Sequence, residues 1–314
     1  MSGQWLRTIQ LQVGTAAGNA IDLSEMHIRF MVRNATVSTL KRAEITIYNL
    51  SPQTAKQIQN EFTVVTLSVG YGGGLAQIFS GQIAIIKQGA ENPADSFLYI
   101  LAQDTDAAVN TGIINGTLAA GWTQQMVLAR IAKEWASAGV QIGYNPTLPS
   151  APAPRGKVLF GMTRDAMDGV AQASWMDWYI EDGMLNMLSP LAVLPGAPIK
   201  INSHTGMLGV PLQTVQGLEI RMLMNPRIRV GRVIQVDNAE VVQQRLVSRQ
   251  FNMVQEQYLP SPAADGLYRV GCVTHAGDTR GQDWYSEAIC TDVVGSLPNI
   301  NSSPALQGVG TGGP

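Results

Sequence analysis

Runs of alternating apolar and polar residues occupy both ends of this chain, and a middle stretch with helical spacing interrupts them. A period of two sends successive side chains to opposite faces of a sheet, so such runs bury one face and must find a second layer or curl on themselves. In QWLRTIQLQV, Trp5, Arg7, Ile9, Leu11 and Val13 alternate with Leu6, Thr8, Gln10 and Gln12. IDLSEMHIRFMV, AEITIYNL, TVVTLSVGY, QIFSGQIAIIKQ and SFLYILAQD follow, β-branched or aromatic runs bounded by Gly, Asn, Pro and Ser. One segment differs: in SPQTAKQIQNEF, Ser51 can cap a helix and Pro52 suits its first turn. Residues 1–105 therefore predict a β-barrel or sandwich carrying one short helix.

From residue 106 the period changes. TQQMVLARIAKEWASAG opens on Thr123 as N-cap, repeats Leu128, Ile131, Ala132 and Trp135 at helical spacing, and closes on Gly139. After the proline-rich NPTLPSAPAPRG, the segment TRDAMDGVAQAS predicts a second helix with Thr163 as cap and Met167, Val170, Ala171 and Ser174 on one face. WYIEDGMLNML predicts a hairpin, because Asp182-Gly183 accepts the positive φ angles of a tight primed turn. Residues 106–195 read as an α+β insert. Strand signals resume in APIKINSH, GLEIRMLM, RIRVGRVIQVDN, GLYRVGCVTH and DWYSEAICTDV, so 196–295 read as a second β unit. Residues 296–314, poor in large apolar side chains, read as a flexible or partner-ordered tail.

The two β regions share a pattern. GQIAIIKQGAENPADSFLYILAQD (81–104) and GLYRVGCVTHAGDTRGQDWYSEAICTD (266–292) each begin with Gly, alternate, turn through a polar loop and return on an aromatic-rich strand ending in Asp. Two copies of one unit explain this. The expected fold class is mainly β with an α+β insert, its two β-barrels related by internal duplication.

Little in the chain suggests chemistry. VTHAGDTRGQDWYSEAIC (273–290) gathers His275, Asp278, Arg280 and Asp283, yet AGDTRGQD is rich in turn formers, which places these groups at an exposed hairpin tip before Trp284 begins the return strand. His275 and Asp278 supply two ligands at most, and His27 and His204 stand far off in sequence, so neither a metal nor an acid–base role is assigned. An Asp278–Arg280 contact, or a pairing across a subunit boundary, is the better reading. Arg227 and Arg229 in NPRIRVGR read as one face of a solvated or subunit-facing strand. Gly70 to Gly74 lack the helix a phosphate loop needs and read as a hairpin. Cys272 and Cys290 read as small hydrophobes on neighbouring strands, and the methionines as core fillers.

With Lys plus Arg at 21 against Asp plus Glu at 23, no basic surface for nucleic acid or membrane is expected. Charged residues make up only 14%, which suits permanent packing against other subunits. The start MSGQWLRTIQLQV has no signal-peptide pattern, and no apolar run is long enough to span a membrane, so synthesis in the cytosol is expected.

The order of these elements resembles the central baseplate hub proteins of contractile phage tails, a group that includes the late-control protein D type and the amino-terminal half of VgrG proteins. ITIYNLSPQTAKQI, VTLSVGYGGGLAQIFSGQI, GMLGVPLQTVQGLEIRMLMNPRIRVGRVIQV and GLYRVGCVTHAGDTRGQDWYSEAIC carry the resemblance. It implies a structural virion protein without cofactor or enzyme activity: a homotrimer whose two tube-type barrels per copy form a pseudo-sixfold ring. Such a ring joins a sixfold tail tube protein above to a threefold spike protein below, contacts other baseplate proteins, and encloses a lumen through which the genome can pass without specific nucleic-acid contacts. His275, Asp278, Arg280, Trp284, Arg227 and Arg229 are then structural or subunit-interface candidates. The alternatives are a tube initiator or distal-tail adaptor lacking the spike junction and, last, a hydrolase acting through His275 and Asp278.

Overall fold

The computed structural model describes residues 6–15, 18–36, 40–214, 216–237, 241–243 and 266–293. Strands β1 (Arg7–Gly14), β2 (Ala20–Asp22), β3 (His27–Ala35) and β4 (Arg42–Tyr48) lead into helix α1 (Pro52–Glu61), and β5 (Val64–Tyr71), β6 (Gly74–Ala90) and β7 (Ser96–Gln103) follow. The middle of the chain holds α2 (Asp106–Thr111), β8 (Ile113–Leu118), α3 (Gln124–Ala136), β9 (Gln141–Ile142), β10 (Lys157–Met162), α4 (Thr163–Ala173), β11 (Asp177–Glu181) and β12 (Met184–Leu188). Then come β13 (Ile199–Ile201), β14 (Met207–Thr214), β15 (Gly217–Leu223), β16 (Val233–Val236), β17 (Val242–Gln243), β18 (Leu267–Asp278) and β19 (Trp284–Asp292). The protein is mainly β.

One 14-stranded sheet runs through both β regions in the order β17-β14-β15-β19-β18-β3-β4-β7-β6-β5-β1-β2, with β16 on β18 and β13 on β16. Within it the ladder β3-β4-β7-β6-β5 and the ladder β14-β15-β19-β18-β16 follow one scheme, antiparallel at every step. They also share an irregularity. β6 bulges between Ile83 and Ile85 against Ala102 and Leu101, and β18 bulges between Val270 and Cys272 against Cys290 and Ile289. An extra residue at the same place bends each long strand so that its first half serves one neighbour and its second half another. The copies diverge at their ends, where β5 continues to β1 antiparallel while β16 meets β13 in parallel. Helix α1 occupies the β4–β5 link, whereas β15 and β16 are joined by turns alone.

Burial follows the period of two. Leu11, Phe30, Ile45, Leu67, Phe79 and Ile100 form the first core, and Met224 and Trp284 from the second half of the chain join them. Trp135, Ile131, Met167 and Trp178 anchor the middle core. Ile220, Ile234, Tyr268, Val270 and Cys290 centre the third. Cys272 and Cys290 are free thiols on the adjacent strands β18 and β19.

Local signals act as expected at several points. The Ser51 hydroxyl accepts the Thr54 amide 3.1 Å away and caps α1. Asp182 (φ 53°) and Gly183 (φ 75°) turn β11 into β12, and Gly72 (φ 58°) with Gly73 (φ 85°) turn β5 into β6. Three expectations fail. Arg227 and Arg229 lie in irregular turns, because Pro226 and Gly231 (φ 79°) interrupt the apparent alternation. Met162 is the cap of α4, and Thr163, its first residue, instead accepts the Trp135 indole N–H at 2.6 Å and donates to the Gly112 carbonyl. Strand β18 runs on to Asp278 because β3 pairs with it there, so His275 is a buried mid-strand residue rather than the start of an exposed tip. The expected tail, 296–314, lies outside the described residues. Among those described, no helix is long and apolar enough to cross a membrane.

Candidate functional site

The feature that organises the molecule is the seam where β18 pairs with β3, from Cys272 opposite Ala35 to Asp278 opposite Arg29. Around it, four segments distant in sequence contribute ionisable groups. Lys41 enters from just before β4 and places its ammonium 2.9 Å from Asp182 Oδ1 and 3.5 Å from Glu181 Oε1, both from the insert hairpin. Arg229, from the β15–β16 link, sits 3.0 Å from the other oxygen of Asp182. Asp104, at the end of β7, accepts the Gly183 amide at 3.3 Å. Lys41 and Glu181 are almost wholly buried, so neither charge is compensated by water and each depends on its partner. Burial pushes the Asp182 carboxyl up, but Lys41 and Arg229 together bring it below the ordinary range.

Asp104 differs: burial dominates and raises it to about 6. The folded state therefore holds this proton more tightly than the unfolded chain. The stability this confers is complete below about pH 4 and is lost as pH climbs through 6. Asp104→Asn, which keeps an oxygen for Gly183, is expected to gain roughly 1–3 kcal/mol over the parent at pH 8 and almost nothing at pH 4. Urea unfolding at both values checks this, and a less stable variant at pH 8 would mean that attraction to Lys41 outweighs burial.

His275 lies beside this cluster. Its Nδ1 is 2.8 Å from Ser286 Oγ, whose oxygen also accepts the Asn225 amide at 3.0 Å. Burial above all, then the positive charges of Lys41 and Arg229, push the imidazole down to about 3, against the small opposing effect of a hydrogen bond to the Ile228 backbone. The neutral ring donates to the Ile228 carbonyl and, at Nδ1, accepts a hydrogen bond from the Ser286 hydroxyl. Ser286 is fully buried, so this serine–histidine contact works as a core hydrogen bond.

Asp278 meets a different histidine. Its Oδ1 lies 2.9 Å from His27 Nε2 and accepts the backbone amides of Arg280 and Gly281 at 2.8 and 2.7 Å, while Arg29 stands 3.8 Å from Oδ2. Partial burial raises the carboxyl, but the two amides and His27 more than offset it and leave it low. The expected Asp278–Arg280 contact thus forms through the Arg280 main chain. Arg7 adds a clamp from β1, donating to the Gly281 and Gln282 carbonyls at 2.7 and 2.9 Å with its guanidinium over the Trp284 ring. Trp284 is buried edge-on against Phe30, and the ring pair leaves no room for a side chain at Gly277: a Cβ there would sit 2.5 Å from Phe30.

His275 and Asp278 are therefore separately engaged and do not form a catalytic pair. Arg227 and Arg280 remain exposed, and Arg229 belongs to the ion cluster. Lys41, Asp104, Glu181 and Asp182 were not legible as a site, since no spacing links them; a lone Lys in AEITIYNL's approach and an Asp-Gly turn were the only traces.

The seam joins the two β regions of one chain, and the fold built around it has known counterparts. The prophage MuSo2 43 kDa tail protein of Shewanella oneidensis is similar in fold, with a TM-score of 0.58 at 8% identity over 91% of this chain and 97% of that one. A tail protein of Neisseria meningitidis MC58 gives 0.56 at 10% identity, covering 92% and 97%. An E. coli component of the type VI secretion system, itself similar to the T4 tail proteins gp27 and gp5, gives 0.54 at 12% identity, covering 85% and 73%. No curated protein matches the chain in sequence. Residues 8–239 match the family described as Baseplate hub gp41, and the chain belongs to that family of structural proteins of the phage tail.

Proposed function

We propose that the protein is the central hub of a phage baseplate, a homotrimer whose six β units form a ring with the tail tube on one face and a spike on the other. The observation that supports this most is the repeated pairing order with its bulge at the same position in β6 and β18. A chain with two copies of one unit makes, as a trimer, a ring with six similar positions and threefold symmetry, and such a ring can meet hexameric and trimeric partners at once. In this reading residues 1–105 and 196–295 are the ring units, 106–195 decorate the outside, and 296–314 reach a neighbouring baseplate component. The role is non-enzymatic: Ser286 and His275 are sealed in the interior, and the genome passes through the lumen without base-specific contacts. Arg227 and Arg280, exposed in the single chain, are interface candidates.

Mass in solution over a range of concentrations, with end-on negative-stain imaging, tests the reading. A trimer with six lobes around a hole is expected, its contacts each burying on the order of 2,000 Å². A hexameric ring would replace it with the tube-initiator or adaptor role.

A further inference from the structure

The small sheet of the insert ends on an open edge. β8 and β10 pair only with each other, so each has a free side, and the two sides differ. On β8 the Asn115 carbonyl points outward and accepts the Arg130 guanidinium of α3 at 3.2 Å, with Arg130 held in turn by Glu134 at 2.9 Å. β10 has no such cover among the described residues. The 3.0 Å bond from the Thr163 amide to the Gly112 carbonyl fixes the alternation of the ladder. Gly161, Leu159 and Lys157 bond to β8, and Val158 and Phe160 turn their N–H and C=O groups away from it.

The same two residues carry the most exposed apolar side chains of the sheet, Val158 at 71% and Phe160 at 81%. Ile113 lies on that face too, while Leu159 and Ile114 point the other way into the middle core. Edge strands are commonly blunted by a proline, a bulge or an inward charge. Residues 158–162 contain none of these. Charge beside the edge has one sign: residues 113–120 and 150–163 hold no carboxylate, whereas Arg155 is exposed and the Lys157 ammonium stands 4.5 Å from the Trp122 ring. Both cations lie at the amino-terminal end of β10; at the far end Arg164 already meets Asp165 at 3.6 Å.

We propose that β10 takes up, as a third antiparallel strand, an extended segment of another protein whose side chains opposite Phe160 and Val158 are apolar and whose following residues, beside Lys157 and Arg155, are carboxylates. Main-chain hydrogen bonds form at Val158 and Phe160, and the segment's alternate side chains pack against the Phe160 ring. A second copy of β10, paired Val158 to Phe160, would set Gly161 and Thr163 beside Lys157 and Arg155 and leave both cations unmatched. The inference requires no trimer and stands apart from the ring.

The acetylated, amidated peptide TVTVEE is the probe, with TVTVKK as charge-reversed control. In millimolar excess TVTVEE is expected to slow amide exchange at Val158 and Phe160 about tenfold, and TVTVKK much less. Val158→Pro deletes an outward donor without removing a bond to β8, so it should abolish the slowing at Phe160 while keeping the parent's melting temperature. No slowing with TVTVEE, or equal slowing with both peptides, overturns the stated partner chemistry. Assembled tails give a measurement free of variants: Val158 and Phe160 exchange more slowly there than in the isolated protein, and equal rates overturn the proposal whatever the peptides do. Slow exchange in the isolated protein that quickens on dilution assigns the edge to a second copy instead. Because none of these readouts depends on how many copies the isolated protein contains, a failed hub reading and a failed strand addition remain distinguishable.

Discussion

Lys41→Met is expected to cost about 3–5 kcal/mol of folding stability, the range for removing one partner of a buried ion pair. The loss comes from what is left behind: Glu181, 9% exposed, and Asp182 lose their buried ammonium partner, and Arg229 still touches Asp182. Restoring neutrality should therefore recover much of it. Adding Glu181→Gln and Asp182→Asn to Lys41→Met removes the stranded charges, and Asn-Gly serves the turn at Asp182 and Gly183 as well as Asp-Gly does. Arg229→Ala should cost much less, under about 2 kcal/mol, because that side chain is 42% exposed and water replaces it. Urea unfolding of the four proteins at pH 7 checks the order. A Lys41→Met protein within 1 kcal/mol of the parent would show that water reaches the cluster.

Acid should unfold the protein through His275. The ring is held near 3 in the folded chain, against an ordinary 6.5, so the unfolded state binds its proton first as pH falls. A group depressed in this way contributes stability that is complete above about pH 6.5 and is lost on the way down to 3. The shift corresponds to roughly 4–5 kcal/mol over that window as an upper bound. His275→Gln introduces the residue that the repeat carries at Gln88 and removes the titration. The dependence of unfolding free energy on pH between 4.5 and 6.5 should then fall by about one proton relative to the parent. Asp104 acts in the opposite sense over the same range, but it is present in both proteins and cancels in the comparison. An unaltered slope would assign acid sensitivity to another group.

The strands were legible because a period of two survives in almost every one, and α1 because Ser51 and Pro52 mark its start. The duplication was legible as pattern only; the shared bulge that aligns it leaves no residue signature, Ala84 and Gly271 being unlike each other and ordinary. Arg227 and Arg229 misled because RIRV alternates, while the residues that stop the strand, Pro226 and Gly231, flank it. His275 misled for a different reason. The turn formers after it are real, yet pairing with β3, some 240 residues earlier, extends the strand beneath them. The ion cluster was hidden entirely, since Lys41, Asp104, Asp182 and Arg229 meet only after four separate segments have come together.

The seam also sets an order of events on the ribosome. At about 5–20 residues per second, roughly 12–50 s pass between synthesis of β3 and of β18. Throughout that interval the β3 edge waits unpaired, and an unpaired edge invites a neighbouring nascent chain. The β18·β3 pairing acts as a completion signal: a truncated chain that ends before Leu267 lacks it, and prematurely terminated products cannot join their two β regions.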